Sequence, residues 1–153
     1  MSTRSGIGYD SHRLVAGRRL VLGGVEIEDA ELGLEGHSDA DVLTHAVIDA
    51  LLGAAGLGDI GQHFPDTDER FRDADSIGLL QETIARLEGA EIVHVDATVM
   101  MERPKLSPHR EAIQTTLATY LGVTPNVKAT TGEGMGFVGR GEGVAALAVA
   151  TLR

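Results

Sequence analysis

The sequence has 153 residues, 42% hydrophobic and 24% charged, with 4 prolines; that length suits one compact core, and the composition excludes disordered and collagen-like chains. Its 13 Lys+Arg against 23 Asp+Glu leave a net charge of -10, which repels nucleic acid and anionic lipid alike. With no cysteine, disulfides, thiol nucleophiles, thiolate zinc sites and iron–sulfur clusters are excluded too, so any metal must use His and carboxylates. No apolar run reaches the roughly 18 residues of a membrane span, and MSTRSGIGYDSHR lacks the apolar centre of a signal peptide. One soluble, cytoplasmic domain over residues 1–153 is expected, with neither nucleic acid nor membrane as partner.

Strands are predicted at Gly6–Leu14 and Arg19–Ile27, short runs bounded by turn residues. The clearest helix opens at Ser38, an N-cap type with Asp41 three residues on. It carries Val42, Leu43, Val47, Ile48, Leu51 and Leu52 to an exit at Gly53 and Gly56. A second helix runs from about Ser76 to Leu87, where Ile77, Leu80, Ile84 and Leu87 recur at helical spacing before Gly89. Strand Ile92–Met101 follows. Ser107 as cap and Pro108 in the first turn open a third helix, which places Ile113, Leu117, Tyr120 and Leu121 on one face and ends at Gly122 and Pro125. Further strands are predicted at Asn126–Thr131 and Val144–Leu152. In VAALAVATL small apolar residues occupy both pleat faces, as in a strand buried on both sides or packed at a subunit interface. The expected fold is α+β and sandwich-like, a mostly covered mixed sheet with helices packed on it.

Five segments carry residues suited to chemistry. In Asp10-Ser11-His12, residues i and i+2 of a strand project from one face and can converge on one ion. His37, Asp41, His45 and Asp49 are spaced by four, a polar stripe on an otherwise apolar helix. Asp10, His12 and one stripe histidine make a set that suits Zn2+ with an open fourth position, or non-haem Fe(II). His45 is the better third ligand, because it sits inside the helix, whereas His37 precedes the cap and is freer to meet a substrate. LGDIGQHFPDTDERF places Asp59, Asp66 and Asp68 in a loop whose carboxylates can select polyol hydroxyls or a divalent cation. Lys128-Ala129-Thr130-Thr131-Gly132-Glu133 runs into a glycine-rich stretch whose backbone N–H groups can approach phosphate, with Glu133 free to hold a cation such as Mg2+. The literal G-x-G-x-x-G match at Gly134–Gly139 is set aside as a dinucleotide site, since it leads into more glycine and a strand. Glu102-Arg103-Pro104-Lys105-Leu106-Ser107-Pro108 offers backbone groups to a base edge and Lys105 to a phosphate. Together the five point to a metal-dependent enzyme acting on a phosphorylated small molecule.

The chain resembles a known family, the 2-C-methyl-D-erythritol 2,4-cyclodiphosphate synthases, through GYDSH, GHSDADVLTHAVIDALLGAAGLGDIGQHFPDTD, RPKL and KATTGEGMGFVGRGEG. The resemblance covers nearly the whole chain. It implies conversion of 4-diphosphocytidyl-2-C-methyl-D-erythritol 2-phosphate to the cyclic diphosphate with release of CMP, a step of non-mevalonate isoprenoid biosynthesis that consumes no water. It implies one Zn2+ per subunit on Asp10, His12 and His45, with Asp10 and His12 also at the substrate. His37 and Ser38 would contact substrate phosphate, and His37 with Thr131 would stabilise the transition state. Asp59, Ile60 and Gly61, with the flexible Phe64, Pro65, Asp66, Thr67 and Asp68, would form the methylerythritol pocket. Pro104, Lys105 and Leu106 would contact cytidine, and Thr130, Thr131 and Glu133 its phosphates, with Mg2+ or Mn2+ on Glu133. The resemblance further implies a homotrimer with sites between subunits, and a central cavity lined by Phe137, Arg140 and Glu142 that can hold an isoprenoid diphosphate. Gly132 and Gly134 depart from the family's threonine and larger residue, so backbone rather than side-chain contacts are expected there. Asp49, four residues after His45, is expected to orient a ligand imidazole. The alternative function is a trimer that binds isoprenoid diphosphates around Arg140 and keeps a structural metal.

Overall fold

A computed structural model describes residues 2–153. Strand β1 (Arg4–Val15) lies in a five-stranded sheet of order β4-β1-β7-β5-β6, with β4 at Gly33–Leu34, β5 at Ile92–Met100, β6 at Asn126–Thr130 and β7 at Gly143–Leu152. β5 and β6 pair in parallel and the other neighbours antiparallel, so the sheet is mixed and the fold α+β. Helix α1 (Val42–Ala55) packs on β1 and β7, α3 (Ser76–Arg86) packs on α1, and α4 (Arg110–Leu121) reaches α3 and β6. Short helices α2 (Ile60–His63) and α5 (Gly136–Gly139) sit within connections. Among the described residues no helix is long and apolar enough to cross a membrane.

The predicted strand Arg19–Ile27 is broken into β2 (Val21–Leu22) and β3 (Val25–Glu26), an antiparallel hairpin. Gly23 and Gly24 reverse the chain at φ +59 and +77, values that side chains avoid. The N-cap of α1 is Asp41 rather than Ser38. Its carboxylate accepts from Thr44 N at 3.0 Å, the Thr44 hydroxyl at 2.7 Å, Gly23 N at 2.9 Å and Gly24 N at 2.8 Å. Two oxygens that satisfy four buried donors outcompete one hydroxyl, and the same residue ties the hairpin to the helix. Asp75 caps α3, and Ser107–His109 forms a 3-10 turn ahead of α4. Gly56 and Gly122 end α1 and α4 in the left-handed conformation.

The sheet is covered on one face only. Val95, Ala97, Val99, Ala146, Ala148 and Ala150 are buried toward the helices, whereas Ile7 (66% exposed), Tyr9 (54%), Leu147 (39%) and Val149 (41%) stand on the open side. Alternation along β7 thus turns one half of VAALAVATL into the core and leaves Leu147 and Val149 of the other half exposed. On the covered side, β1 and α1 touch backbone to backbone. A Cβ on Gly8 would lie 1.9 Å from Ala46 O, and one on Gly6 2.2 Å from Ala50 O. That approach brings the end of β1 beside the start of α1.

Candidate active site

Alternation along β1 turns Asp10 and His12 toward α1, and His45 extends from the first turn of that helix. Each offers a ligand atom, and these atoms lie within 4.8 Å of one another. His12 Nε2 and His45 Nδ1 stand 2.9 and 3.0 Å from Asp10 Oδ2. The outer ring nitrogens settle the tautomers. His12 Nδ1 is 2.8 Å from the Glu35 carbonyl, which can only accept, so Nδ1 carries a proton. His45 Nε2 is 2.7 Å from Ser76 Oγ and 3.3 Å from Ser38 Oγ. The Ser76 hydroxyl donates to the Asp39 carboxylate, whose other oxygen accepts from Ser76 N at 2.9 Å, so Ser76 Oγ accepts the proton on His45 Nε2.

In that state both inner nitrogens carry lone pairs beside one carboxylate oxygen, and His45 Nδ1 is aimed at it at 3.0 Å. His12 Nε2 is buried and, despite its distance from Asp10, is not aligned for a hydrogen bond with any group. Lone pairs gathered this closely repel unless a cation or a proton lies among them, and two imidazoles with one carboxylate are a donor set that fits a divalent metal with an open position. The cluster can therefore hold a metal ion. Burial raises the Asp10 carboxyl, but His12 and His45 outweigh it and bring it down to about 2. Burial lowers His12, but the Asp10 carboxylate outweighs it and raises the imidazole above its ordinary value. A metal binding there would compete with the proton that the Asp10 carboxylate favours on His12.

Asp49 does not orient the imidazole. It lies one turn beyond His45, and its Oδ1 accepts from Ile60 N at 3.0 Å; burial, then the charges of Asp59 and Asp10, raise its carboxyl. Ser76 and Asp39, which sequence reasoning missed, hold the His45 ring instead. Spacing of four identifies neighbours on one helix, whereas Ser76 arrives from the start of α3, and no local signal marks it.

His37 precedes the helix and faces the acidic loop. Its Nε2 is 3.3 Å from the Asp68 carbonyl, and its own carbonyl accepts from Asp73 N at 2.7 Å. Asp59 caps α2 through Gln62 N at 3.0 Å, and Asp68 caps the Glu69–Phe71 turn through Arg70 N at 3.0 Å. These two carboxylates are held by turn chemistry, as the loop's composition suggests, while Gly61, Asp66 and Thr67 are exposed. Phe64 is buried, edge-on to Phe71 at 5.4 Å with the Arg86 guanidinium 4.8 Å over its ring, so only its backbone can meet a ligand.

The glycine-rich segment sits elsewhere. Thr130 shares a lateral row with Met100, Ala145 and Ser11, three inter-strand steps or about 14 Å from β1. Residues of one row project from one face, so Thr130 stands on the open side with Ser11, opposite to Asp10 and His12. The amides expected to hold phosphate are already taken. Gly132 N and Gly134 N donate to Glu102 at 2.8 and 3.2 Å, and Glu133 N donates to Thr131 Oγ1 at 3.1 Å. The expected backbone contacts from Gly132 and Gly134 are thereby withdrawn, while the Glu133 and Thr131 side chains stay exposed. A cavity of about 510 Å³ lies beside this segment, walled by Asp29, Leu32, Glu102, Arg103, Pro104 and Arg140. Lys105 is exposed and Leu106 is buried, so Leu106 offers a ligand its backbone alone. Phe137 and Arg140 are exposed, and Glu142 bridges Arg140 at 3.2 Å and Arg13 at 3.4 Å. The Gly134–Gly139 match ends in the four-residue α5, too short for a dinucleotide fingerprint.

The sequence profile of the YgbB family matches residues 3–153. A 2-C-methyl-D-erythritol 2,4-cyclodiphosphate synthase of Desulfosudis oleivorans is 58% identical over 154 residues, covering 97% of this chain and 91% of that protein. A bifunctional enzyme IspD/IspF of Anaeromyxobacter sp. (strain Fw109-5) is 59% identical over 152 residues, 96% of this chain; the chain spans 39% of that enzyme's length. A solved 2C-methyl-D-erythritol-2,4-cyclodiphosphate synthase, in a CDP-bound form, superposes with a TM-score of 0.89 at 40% identity, covering 98% of this chain and all of that one.

Proposed function

The chain belongs to the YgbB family, and from that membership we propose that two half-sites on opposite faces of its sheet act together, across a homotrimer, on one cytidine diphosphate substrate. The activity is that of a 2-C-methyl-D-erythritol 2,4-cyclodiphosphate synthase, a lyase of isoprenoid precursor biosynthesis. It cyclises 4-diphosphocytidyl-2-C-methyl-D-erythritol 2-phosphate and releases CMP. The observation that supports the metal-dependent reading is the gathering of the Asp10, His12 and His45 ligand atoms within 4.8 Å of one another, with His12 Nε2 buried and without a partner, a donor set that fits a divalent cation. Assembly is supported by the apolar open face of Ile7, Tyr9, Leu147 and Val149, a patch of the kind that subunit contact covers. It is supported also by Thr130 lying on that face while the metal set lies behind it. One protein chain folding as a single domain over residues 1–153, in the cytoplasm, completes the reading.

Zn2+ would sit on Asp10, His12 and His45, and Mg2+ or Mn2+ on Glu133. When bound, the two cations neutralise the diphosphate and draw charge from its bridging oxygen. In the reaction a 2-phosphate oxygen forms a bond to the β-phosphorus as the bond to the CMP oxygen breaks, and the electron pair leaves on CMP. No protein nucleophile is needed, so the residues bind and orient. His37 and Ser38 hold the attacking phosphate region. Asp59, Ile60, Gly61 and the 64–68 segment take the methylerythritol, whose hydroxyls donate to the loop carboxylates. Pro104, Lys105 and Leu106 meet cytidine, and Thr130, Thr131 and Glu133 its phosphates. His37 and Thr131 face the charge that develops at the β-phosphorus. Phe137 and Arg140 line a shared cavity that accepts an isoprenoid diphosphate.

The test is incubation of the protein with substrate, zinc and magnesium, followed by phosphorus NMR. CMP and the cyclic diphosphate should appear together, stop with a chelator and return with metal. CMP without the cyclic product would refute the cyclisation. No turnover by a folded, zinc-loaded trimer would favour the isoprenoid-binding alternative.

A further inference from the structure

Glu102 has no part in the chemistry above, yet its carboxylate is the acceptor for two amides of the phosphate-side loop. Oε2 accepts from Gly132 N at 2.8 Å and Oε1 from Gly134 N at 3.2 Å. Between them Glu133 has φ +53, and Gly134 follows at φ +73. In this left-handed stretch the flanking N–H groups turn to one side and form the concavity in which backbone amides collect an anion. The loop is tight around it. Met135 N donates to Gly132 O at 2.8 Å, and a Cβ on Gly132 would fall 2.5 Å from Gly139 N. Glu102 also immediately precedes Arg103, Pro104 and Lys105, so one side chain joins the cytidine-side segment to the phosphate-side loop.

We propose that Glu102 is a positioning residue: its carboxylate is the resident anion of this amide concavity, where it excludes substrate phosphate and sets Thr131 and Glu133 outward to receive it. The substrate half of this inference rests on the proposed function, whereas the loop half rests on the hydrogen bonds alone. A consequence is that the phosphates are met by side chains and a cation, never by the Gly132 and Gly134 amides. A charged acceptor on two N–H groups contributes more than a neutral one, so its removal is measurable.

The experiment measures hydrogen exchange at the Gly132 and Gly134 amides by NMR in the ligand-free protein. It is paired with calorimetric titration of CDP in the presence of Mg2+, for the wild type, Glu102→Ala and Glu102→Gln. In Glu102→Ala both amides should exchange at least about tenfold faster while β5 and β7 amides are unmoved, and CDP should bind about tenfold more weakly. Added acetate should recover part of both losses in this variant and change nothing in the wild type. Glu102→Gln should lie between, because its amide oxygen accepts while its NH2 group opposes the second N–H; it also decides the question if the alanine variant does not fold. Unchanged exchange at the two glycines overturns the proposal. So does CDP binding that is unchanged or tighter in Glu102→Ala, which would mean that the carboxylate merely competes with substrate. If the wild type itself does not bind CDP, the substrate reading fails, and the exchange rates still decide whether Glu102 holds the loop.

Discussion

Gly8→Ala tests whether the contact of β1 with α1 builds the metal set. The added Cβ would stand 1.9 Å from Ala46 O and 2.7 Å from Ala50 N, both backbone atoms that cannot rotate away. Real Cβ contacts stay beyond 3.0 Å, so strand and helix must part by about 1 Å in a close-packed interior. Asp10 and His12 ride on the strand, and His45 directly precedes Ala46 on the helix. A zinc–nitrogen bond is about 2.0–2.1 Å long, so that shift takes His45 out of reach of an ion held by the other two. Overpacking against backbone should cost about 3 kcal/mol, roughly 10 °C in melting temperature for a chain of this size, and zinc affinity should fall at least about 100-fold. Scanning calorimetry with a chelator present gives the first quantity, and competition titration with a zinc indicator the second. Gly78→Ala is the control, since nothing lies within 4 Å of its added carbon on α3; it should be neutral or stabilise by up to about 1 kcal/mol. A Gly8→Ala protein that melts like the wild type, or that loses stability yet keeps its zinc affinity, would refute the reasoning.

Ser76→Ala frees the His45 ring to change tautomer and should lower zinc affinity by about 10–100-fold, with a loss of d–d intensity in the cobalt-substituted protein; an unchanged cobalt spectrum would contradict the role. Asp41→Ala leaves four donors without their acceptor and should cost about 4 kcal/mol in urea denaturation, and a loss below about 1 kcal/mol would show that water or a shifted chain replaces it. The pH dependence follows from His12, where burial opposes the charged ring but the Asp10 carboxylate prevails and raises its pKa above 6.5. In the metal-free protein its stabilisation is full below that unfolded value and is lost as pH rises through the folded one. Zinc affinity runs the other way, because a proton must leave, so it should fall as pH drops from about 8 to 6; an affinity flat across that range would count against the assignment.

Two parts of the site were legible without coordinates. Asp10 and His12 are two apart on a strand, and the period of two alone puts them on one face. His45 stands on a helix whose apolar spacing is plain, and nearly every element that repeats a period was found where expected. The breaks came where a local rule met a distant partner. Arg19–Ile27 reads as one strand, but its glycines fold it against Leu43, Ile113 and Leu117. Ser38 reads as the cap, but Asp41 wins by also satisfying the hairpin. Asp49 has the spacing of an imidazole partner, but Ser76 has the contact.

What the sequence by itself determined is therefore the set of elements, the pairing of Asp10 with His12 and the chemistry of the candidate residues, because each depends on periodicity and side-chain type within one segment. Only the tertiary structure decided which donor meets which acceptor and which surface stays open: Glu102 on the amides of the glycine-rich loop, Asp39 and Ser76 behind His45, and the exposed apolar face of the sheet. A buried polar group takes whatever partner packing brings within about 3 Å, and packing joins residues that lie 30 positions or more apart, as with Ser76 and His45 or Gly132 and Glu102.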